Sequence, residues 1–372
     1  MHQPHTADLA PAALRLADLV RDGLPDLHAQ YAARLTQAHR QALHAILGCR
    51  TGAFGARLMH CPDCAHRLPA PRSCGHRSCP QCQHHTASAW LAGQQAKLLP
   101  LQYFMVTFTL PDGLRAVALQ QPKSVYQALF AAAAATLKRF GLNHRHLQAH
   151  TGFTAVLHTH NRRLDFHPHL HVVMPAGGIE PRRRQWRKLA GRYLFNGRQL
   201  ARVFRAKMLC ALSDAGVRLP VGLPATWVVH CTRVGKGLPA LQYLSRYLYR
   251  GVIREQDLVD YDRERRTVTF RYQDAKTRRR ARRTMGLIDF LWQLLRHVLP
   301  TGFRRVREYG FLHANARRLL MLVQLVLRVR IPPRPARQPQ TFTCPRCGAA
   351  MAMQGFVRRP ATPTHALPSP AT

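Results

Sequence analysis

Residues His167 to Gly178 read "HPHLHVVMPAGG". Three histidines fall within five residues, and an apolar run and two glycines follow. In an extended chain, residues i and i+2 face the same side. His169 and His171 therefore present two imidazoles from one face of a strand, and Leu170 turns into the core behind them. Upstream lies "GFTAVLHTH" from Gly152, a second β-branched, apolar strand. The polar connector "NRRLDFHP" joins the two and predicts an antiparallel hairpin. On the partner strand His158 and His160 again share a face. Either could complete a three-histidine metal site; His158 is preferred because it is nearer the strand centre. His167 precedes Pro168 at the strand entrance and is expected to cap or line the site. With 22 histidines in 372 residues, one H-x-H pair carries little weight. Two same-face pairs on neighbouring strands carry more.

Three nitrogen ligands leave positions open for a phosphate oxygen, so the metal would act as a Lewis acid on phosphorus. Asp165 is the sole close carboxylate in sequence, which argues against a carboxylate-bound pair of metals. The nucleophile is sought in "QYLSRYLYR" from Gln242. Tyr243 and Tyr247 are four residues apart, which places both hydroxyls on one face of a helix. A tyrosine can attack a phosphodiester and retain the strand end as a phosphotyrosine. A free phenol has a pKa of about 10, and Arg246, Arg250 and the metal would assist its deprotonation. Tyr249 is read as packing.

The charge agrees with a polyanionic substrate. Lys and Arg number 56 against 17 Asp and Glu, a formal net charge of +39. Such a field suits nucleic acid. One basic tract surrounds Trp186, with Arg182, Arg183, Arg184, Arg187 and Lys188. A second runs through Lys276, Arg278, Arg279, Arg280, Arg282 and Arg283. Cations interleaved with an aromatic fit a single strand, by phosphate neutralisation and base stacking. No apolar stretch is long enough to cross a membrane, and no charged, then apolar leader opens the chain. The expected location is the bacterial cytoplasm, at the nucleoid.

Ten cysteines are unevenly placed. Cys61-x2-Cys64, fourteen residues, then Cys79-x2-Cys82 is near the spacing of a four-cysteine structural zinc site. Without a leader, paired CxxC argues for zinc over disulfides. Cys74 is extra: it could replace a ligand, or join His60, His66, His76 or His84 in another site. Cys344 and Cys347 are half a site, read as a partial knuckle, an intersubunit site or plain thiols. Cys49, Cys210 and Cys231 are read as ordinary residues.

The coarse element order completes the frame. Leu14 to Ile46 has helical periodicity, and a helix is expected over residues 87–99. "YFMVTFTL" from Tyr103 is a strand. "SVYQALFAAAAATLKRF" is a helix with Ser124 as candidate N-cap and Gly141 near its end. A helix around 203–214, the strand "TWVVHCTRV" from Thr226 and a helix holding the tyrosines follow. The middle thus reads β, α, β, β, α, β, α, an α+β fold with helices packed on a mainly antiparallel sheet. A strand from Arg266 and helices over 287–299 and 319–327 come next. The expected division is 1–100 helical and zinc-binding, 101–255 nuclease, 256–330 basic α/β, and 331–372 a Pro-rich linker and CxxC tail.

"HPHLHVVMPAGG" followed by "YLSRYLYR" resembles the two-tyrosine HUH transposases of rolling-circle insertion sequences, the insertion sequence 91 family. The H-U-H pattern, in which U is a bulky apolar residue, is His169, Leu170 and His171. "SCGHRSCPQCQ" from Ser73 resembles the family's zinc segment, and "LLPLQYFMVTFTLP" from Leu98 its first nuclease strand. "AVLHTH" from Ala155, "VTFRYQD" from Val268, "LLRHVLPTGFRRVREYGFL" from Leu294 and "CPRCGAAM" from Cys344 follow in the family's order. Two departures stand: Met105 and Ser78 occupy positions where the family often has histidine. The resemblance implies an endonuclease and strand transferase on single-stranded DNA at element ends. It implies magnesium or manganese on the histidines, and tyrosine attack giving a 5′-phosphotyrosine and a free 3′-OH. Tyr243 and Tyr247 are then the nucleophiles. No GxxxxGK[ST] loop occurs, so unwinding would come from host replication or helicase factors. The alternatives are a replication initiator or relaxase-like nickase, and a non-catalytic zinc regulator that binds DNA.

Overall fold

The computed structural model describes residues 14–82, 90–144, 147–189, 195–236, 238–239, 242, 252–274, 277, 279–329 and 341–358. Its centre is a five-stranded antiparallel sheet. The strands are β3 (Gln102–Thr109), β4 (Gly152–His160), β5 (Phe166–Pro175), β8 (Val229–Lys236) and β12 (Val306–Gly310). Their order across the sheet is β12-β4-β5-β3-β8. The expected hairpin forms, with Leu157 opposite Leu170 and His158 opposite His169.

Alternation gives the sheet two unlike faces. Phe104, Val106, Phe108, Phe153, Ala155, Leu157, Leu170, Val172 and Met174 share one buried cluster with two long helices. These are α4 (Pro122–Asn143) and α5 (Gly197–Asp214). α4 is an alanine-rich segment with Pro122 in its first turn, where a missing N–H costs nothing. Gln121, not Ser124, is its N-cap. α5 starts at Asn196, whose side-chain oxygen accepts from the Arg198 and Gln199 amides at 3.0 and 3.2 Å. This is the usual capping chemistry. Phe204 of α5 meets Phe108 at 4.9 Å. The helices thus cover one face, and the histidines stand on the other.

A second unit closes over the histidine side. It is a meander of β9 (Leu258–Asp262), β10 (Thr267–Gln273) and β11 (Arg280–Gly286), with α6 (Leu287–Leu295) after it. The N-terminal helices α1 (Leu16–Tyr31) and α2 (Gln37–Gly48) share its core, through Leu19, Leu27, Leu43, Phe270, Phe290 and Leu291. At Gly23 α6 packs tightly on α1: a Cβ there would lie 2.5 Å from Leu291 Cδ1. Tyr31 stacks on Trp292 at 4.3 Å.

Packing and strand pairing run across the expected boundaries at 100 and 331. Residues 14–48 share one core with the meander and with Cys49, Cys74, Cys79 and Cys82. The tail pairs with the zinc segment in a four-stranded sheet of order β13-β14-β1-β2. Its strands are β1 (Ala56–His60), β2 (Arg67–Pro71), β13 (Phe342–Thr343) and β14 (Ala350–Val357). The helix α7 (Arg317–Val326) lies over the sheet end near Phe311, with Met321 and Leu325 left exposed. Two further elements are α3 (Arg115–Gln120) and the hairpin of β6 (Gly177–Glu180) and β7 (Gln185–Lys188). Sequence periodicity did not reveal that hairpin. No described helix is long and apolar enough to cross a membrane.

Candidate functional site

The turn between β4 and β5 sets the site. The Asn161 Oδ1 accepts from the Arg163 and Asp165 amides at 2.9 and 3.0 Å. Leu164 sits buried at φ 70° inside that turn. Its carbonyl accepts from Gln293 Nε2 at 2.6 Å and His297 Nε2 at 2.9 Å. Arg283 of β11 pairs with Asp165 at 2.9 Å. The second unit therefore clamps the hairpin tip, and Asp165 is taken by Arg283 and Asn161. Burial pushes its carboxyl up, but those hydrogen bonds outweigh it and leave its pKa lowered.

With the hairpin fixed, His158, His169 and His171 each offer a ring nitrogen, and these atoms lie within 4.8 Å of one another. His169 donates from Nδ1 to the His167 carbonyl at 2.6 Å, which leaves a lone pair on its Nε2. That Nε2 lies 3.1 Å from the His171 Nε2. The Thr107 hydroxyl, opposite His171 on β3, is 3.1 Å from the His171 Nδ1. Burial lowers all three rings: His169 to about 4, His171 to about 3, with the His169 charge assisting, and His158 well below its usual value. All three are neutral near pH 7 and can act as ligands. Two nitrogens about 2.1 Å from one cation at right angles lie about 3.0 Å apart. The donor set fits a divalent metal.

His160 does not join them. A register shift between His158 and His160 places it opposite Phe166, and its ring sits 5.3 Å from His297. The extra residue of this bulge is on β5, and His160 still lines the same cavity as His158. His167 lines the site as expected and meets Arg115 at 2.7 Å. Met105 lies two residues before Thr107 on β3, opposite Val173 rather than a histidine.

The histidines open into a cavity of about 650 Å³. Its other walls include Arg162, Arg254, Arg271, Arg280, Phe270 and Tyr272. Arg254 is paired with Asp257 through two contacts of 2.6 and 2.7 Å. Sequence reading missed Thr107, Arg254, Arg271 and Tyr272 because nothing local ties them to the histidines. Arg279 and Arg280 of the second tract are exposed, and Arg280 reaches the cavity. Lys276 and Arg278 lie outside the described residues. So do Tyr243, Tyr247, Tyr249, Arg246 and Arg250.

The first basic tract is at the other end of the sheet. His171 and Gly177 are six residues apart on nearly continuous strand, roughly 20 Å. Arg182, Arg183, Arg184 and Lys188 are exposed there. Trp186 is not a free stacking platform: its ring packs on Phe311 at 5.9 Å and against Gly177. Arg187 is half-buried and paired with Glu180 at 3.3 Å.

The cysteines also regroup. The expected set of Cys61, Cys64, Cys79 and Cys82 does not form. Cys49, Cys74, Cys79 and Cys82 gather with all sulfurs within 4.8 Å. Cys49, read as ordinary, and Cys74, read as extra, thus complete a tetrathiolate set. Cys61 and Cys64 face Cys344 and Cys347 instead. Between Cys74 and Cys79, Arg77 donates to the Phe303 carbonyl at 2.9 Å, fixing this loop to the nuclease-side core.

Such a scaffold, an α+β core with an N-terminal cysteine module, is that of a zinc-binding transposase. Residues 152–319 match the family described as "Putative transposase", and residues 19–110 match the transposase zinc-binding domain. The chain is 37% identical over 327 residues to "Putative transposase y4qJ" of Sinorhizobium fredii, covering 82% of this chain and 81% of that one. It is 29% identical over 291 residues to the transposase for insertion sequence element IS801 of Pseudomonas savastanoi pv. phaseolicola, covering 72% and 68%. The chain belongs to the insertion sequence 91 family of rolling-circle transposases. Its N-terminal cysteines hold structural zinc. Among solved structures it aligns with TrwC complexed with a 27-mer DNA, at 15% identity over 61% of this chain and 75% of that one. The TM-score is 0.26, too loose a superposition to inform the site.

Proposed function

We propose that this transposase is a metal-dependent endonuclease and strand transferase acting on single-stranded DNA through a covalent 5′-phosphotyrosine. The observation that carries the reading is the set of three neutral imidazoles in one arginine-walled cavity. His158, His169 and His171 would hold a magnesium or manganese ion, which supplies Lewis acidity at the scissile phosphate. The cavity, walled by arginines and by Phe270 and Tyr272, offers charge and aromatic faces of the kind an unpaired strand uses. Arg162, Arg271 and Arg280 would hold phosphates, and Tyr272 offers a face for a base.

Tyr243 and Tyr247 are the proposed nucleophiles. Covalent geometry holds Tyr247 within about 18 Å of Val252, and Val252 lines the cavity. The phenol oxygen of one tyrosine forms a bond to phosphorus as the P–O3′ bond breaks. The 5′-phosphate stays on the tyrosine and the 3′-oxygen leaves as a hydroxyl, ready to prime synthesis. The second tyrosine would then take a second strand end. Arg246 and Arg250 would favour the phenolate by charge.

Labelled single-stranded DNA carrying element ends, incubated with Mg²⁺ or Mn²⁺, should give a protein–DNA adduct that survives denaturation. Tyr243→Phe with Tyr247→Phe should abolish it. An adduct that persists in the double variant, or none on any element-end strand, would sink this reading.

A further inference from the structure

We infer that the chain holds a second structural zinc, bound by Cys61 and Cys64 from its N-terminal part and Cys344 and Cys347 from its C-terminal part. Cys344 and Cys347 lie outside the matched zinc-binding segment 19–110.

The sulfurs are spaced for a shared metal. Cys61 Sγ is 3.4 Å from Cys347 Sγ, and Cys64 Sγ is 3.5 Å from Cys344 Sγ and 3.6 Å from Cys347 Sγ. Disulfide sulfurs would be about 2.04 Å apart, and all four thiols are free. Four sulfurs about 2.3 Å from one zinc lie about 3.8 Å apart. The observed spacing is close to that tetrahedron edge and far from a bond.

The two loops are also built alike. "CPDCAH" from Cys61 and "CPRCGA" from Cys344 share Cys-Pro-x-Cys. In the first, the Ala65 amide donates to the Cys61 carbonyl at 3.0 Å and the Cys61 amide to the His66 carbonyl at 2.9 Å. In the second, the Gly348 amide donates to the Cys344 carbonyl at 2.9 Å and the Cys344 amide to the Ala349 carbonyl at 2.8 Å. The residue after each second cysteine has positive φ, 57° at Ala65 and 76° at Gly348. A non-glycine residue there is unfavourable by about 1 kcal/mol or more. Two matched turns, one kept with alanine, are what a pair of facing metal knuckles requires.

The packing calls for the metal as well. The buried cluster between β1, β2 and β14 comprises Met59, Cys61, Ala70, Cys344 and Met351. Two of its five members are the proposed ligands, and so small a core does not fold unaided. Tetrathiolate donors in a tetrahedral arrangement select zinc among abundant divalent ions. The ion closes the chain on itself across a sequence separation of 280 residues and pins residues 341–358 to the N-terminal segment.

Metal analysis of the full chain tests this. The parent should carry two zinc ions per chain. Cys344→Ser/Cys347→Ser should carry one, and Cys61→Ser/Cys64→Ser one. The four-fold variant should also carry one, because both pairs serve the same ion. Full zinc content in Cys344→Ser/Cys347→Ser, losses that add in the four-fold variant, or iron in place of zinc would overturn the proposal. A measurement on the parent chain guards against misfolded variants. Alkylation followed by peptide mass analysis, with exposed Cys210 as the accessible reference, should find all four sulfurs protected together and released together by a chelator. Rapid alkylation of exposed Cys347 and of Cys344 while Cys61 and Cys64 stay protected would refute it.

Discussion

Thr107→Val is the sharpest probe of the histidine site, because it touches tautomer and little else. Valine keeps the branched shape and strand preference of threonine. It removes the hydroxyl that lies 3.1 Å from the His171 Nδ1. When His171 carries its proton on Nδ1 and donates to that oxygen, its Nε2 lone pair faces the His169 Nε2 3.1 Å away. This is the form a cation needs. Without the hydroxyl, the proton is better placed on Nε2, where it bridges the two rings and blocks a ligand position. Taking the hydroxyl away from this half-buried ring nitrogen costs about 1–3 kcal/mol. Manganese affinity should therefore fall about 10- to 100-fold, in line with other losses behind a metal ligand. Calorimetric titration of Mn²⁺ into parent and variant measures this, with thermal unfolding of the metal-free proteins as control. An unchanged manganese affinity with unchanged stability would refute the tautomer argument. A large loss of metal-free stability would show that Thr107 serves the sheet instead.

Two other outcomes follow from particular residues. His297 is buried, and burial, only partly offset by its bond to the Leu164 carbonyl, pushes it down to about 4. An unfolded imidazole titrates near 6.5, so the native state binds fewer protons between these values. Stability from this group is complete above pH ~6.5 and is lost as pH falls toward ~4, by about 1.4 kcal/mol per pH unit. Denaturant unfolding from pH 7 to 4.5 should show a shallower decline in His297→Gln than in the parent; parallel curves would contradict the assignment. For DNA, Arg280→Ala should weaken binding of a short single strand and reduce the slope of log affinity against log salt by about 0.7. Arg187→Ala, already paired with Glu180, should leave that slope unchanged. Anisotropy between low and moderate salt reads both, and equal slopes for parent and Arg280→Ala would remove this arginine from the phosphate contacts.

The central hairpin was legible in sequence because strand alternation is a local rule. "HLH" fixes two rings on one face wherever the strand goes, and apolar residues between them fix the buried side. The same rule could not choose between His158 and His160: both line the cavity, and only His158 gathers with His169 and His171. Trp186 was misread for a related reason. Its neighbours in sequence are cations, but its neighbours in space are Phe311 and Gly177.

Sequence by itself determined most strands of the central sheet, the long helices, the excess positive charge and the stock of metal-binding side chains. Each follows from composition or from contacts a few residues apart. Tertiary structure alone decided which ligands work together. Cys61 and Cys64 have Cys79 and Cys82 close by in the chain, yet face Cys344 and Cys347 because β14 pairs with β1. The cavity over the histidines exists because the β9–β11 unit and α6 clamp the Asn161–Asp165 turn. A metal site needs several donors within a few ångströms, and long-range pairing, not spacing along the chain, brings them there.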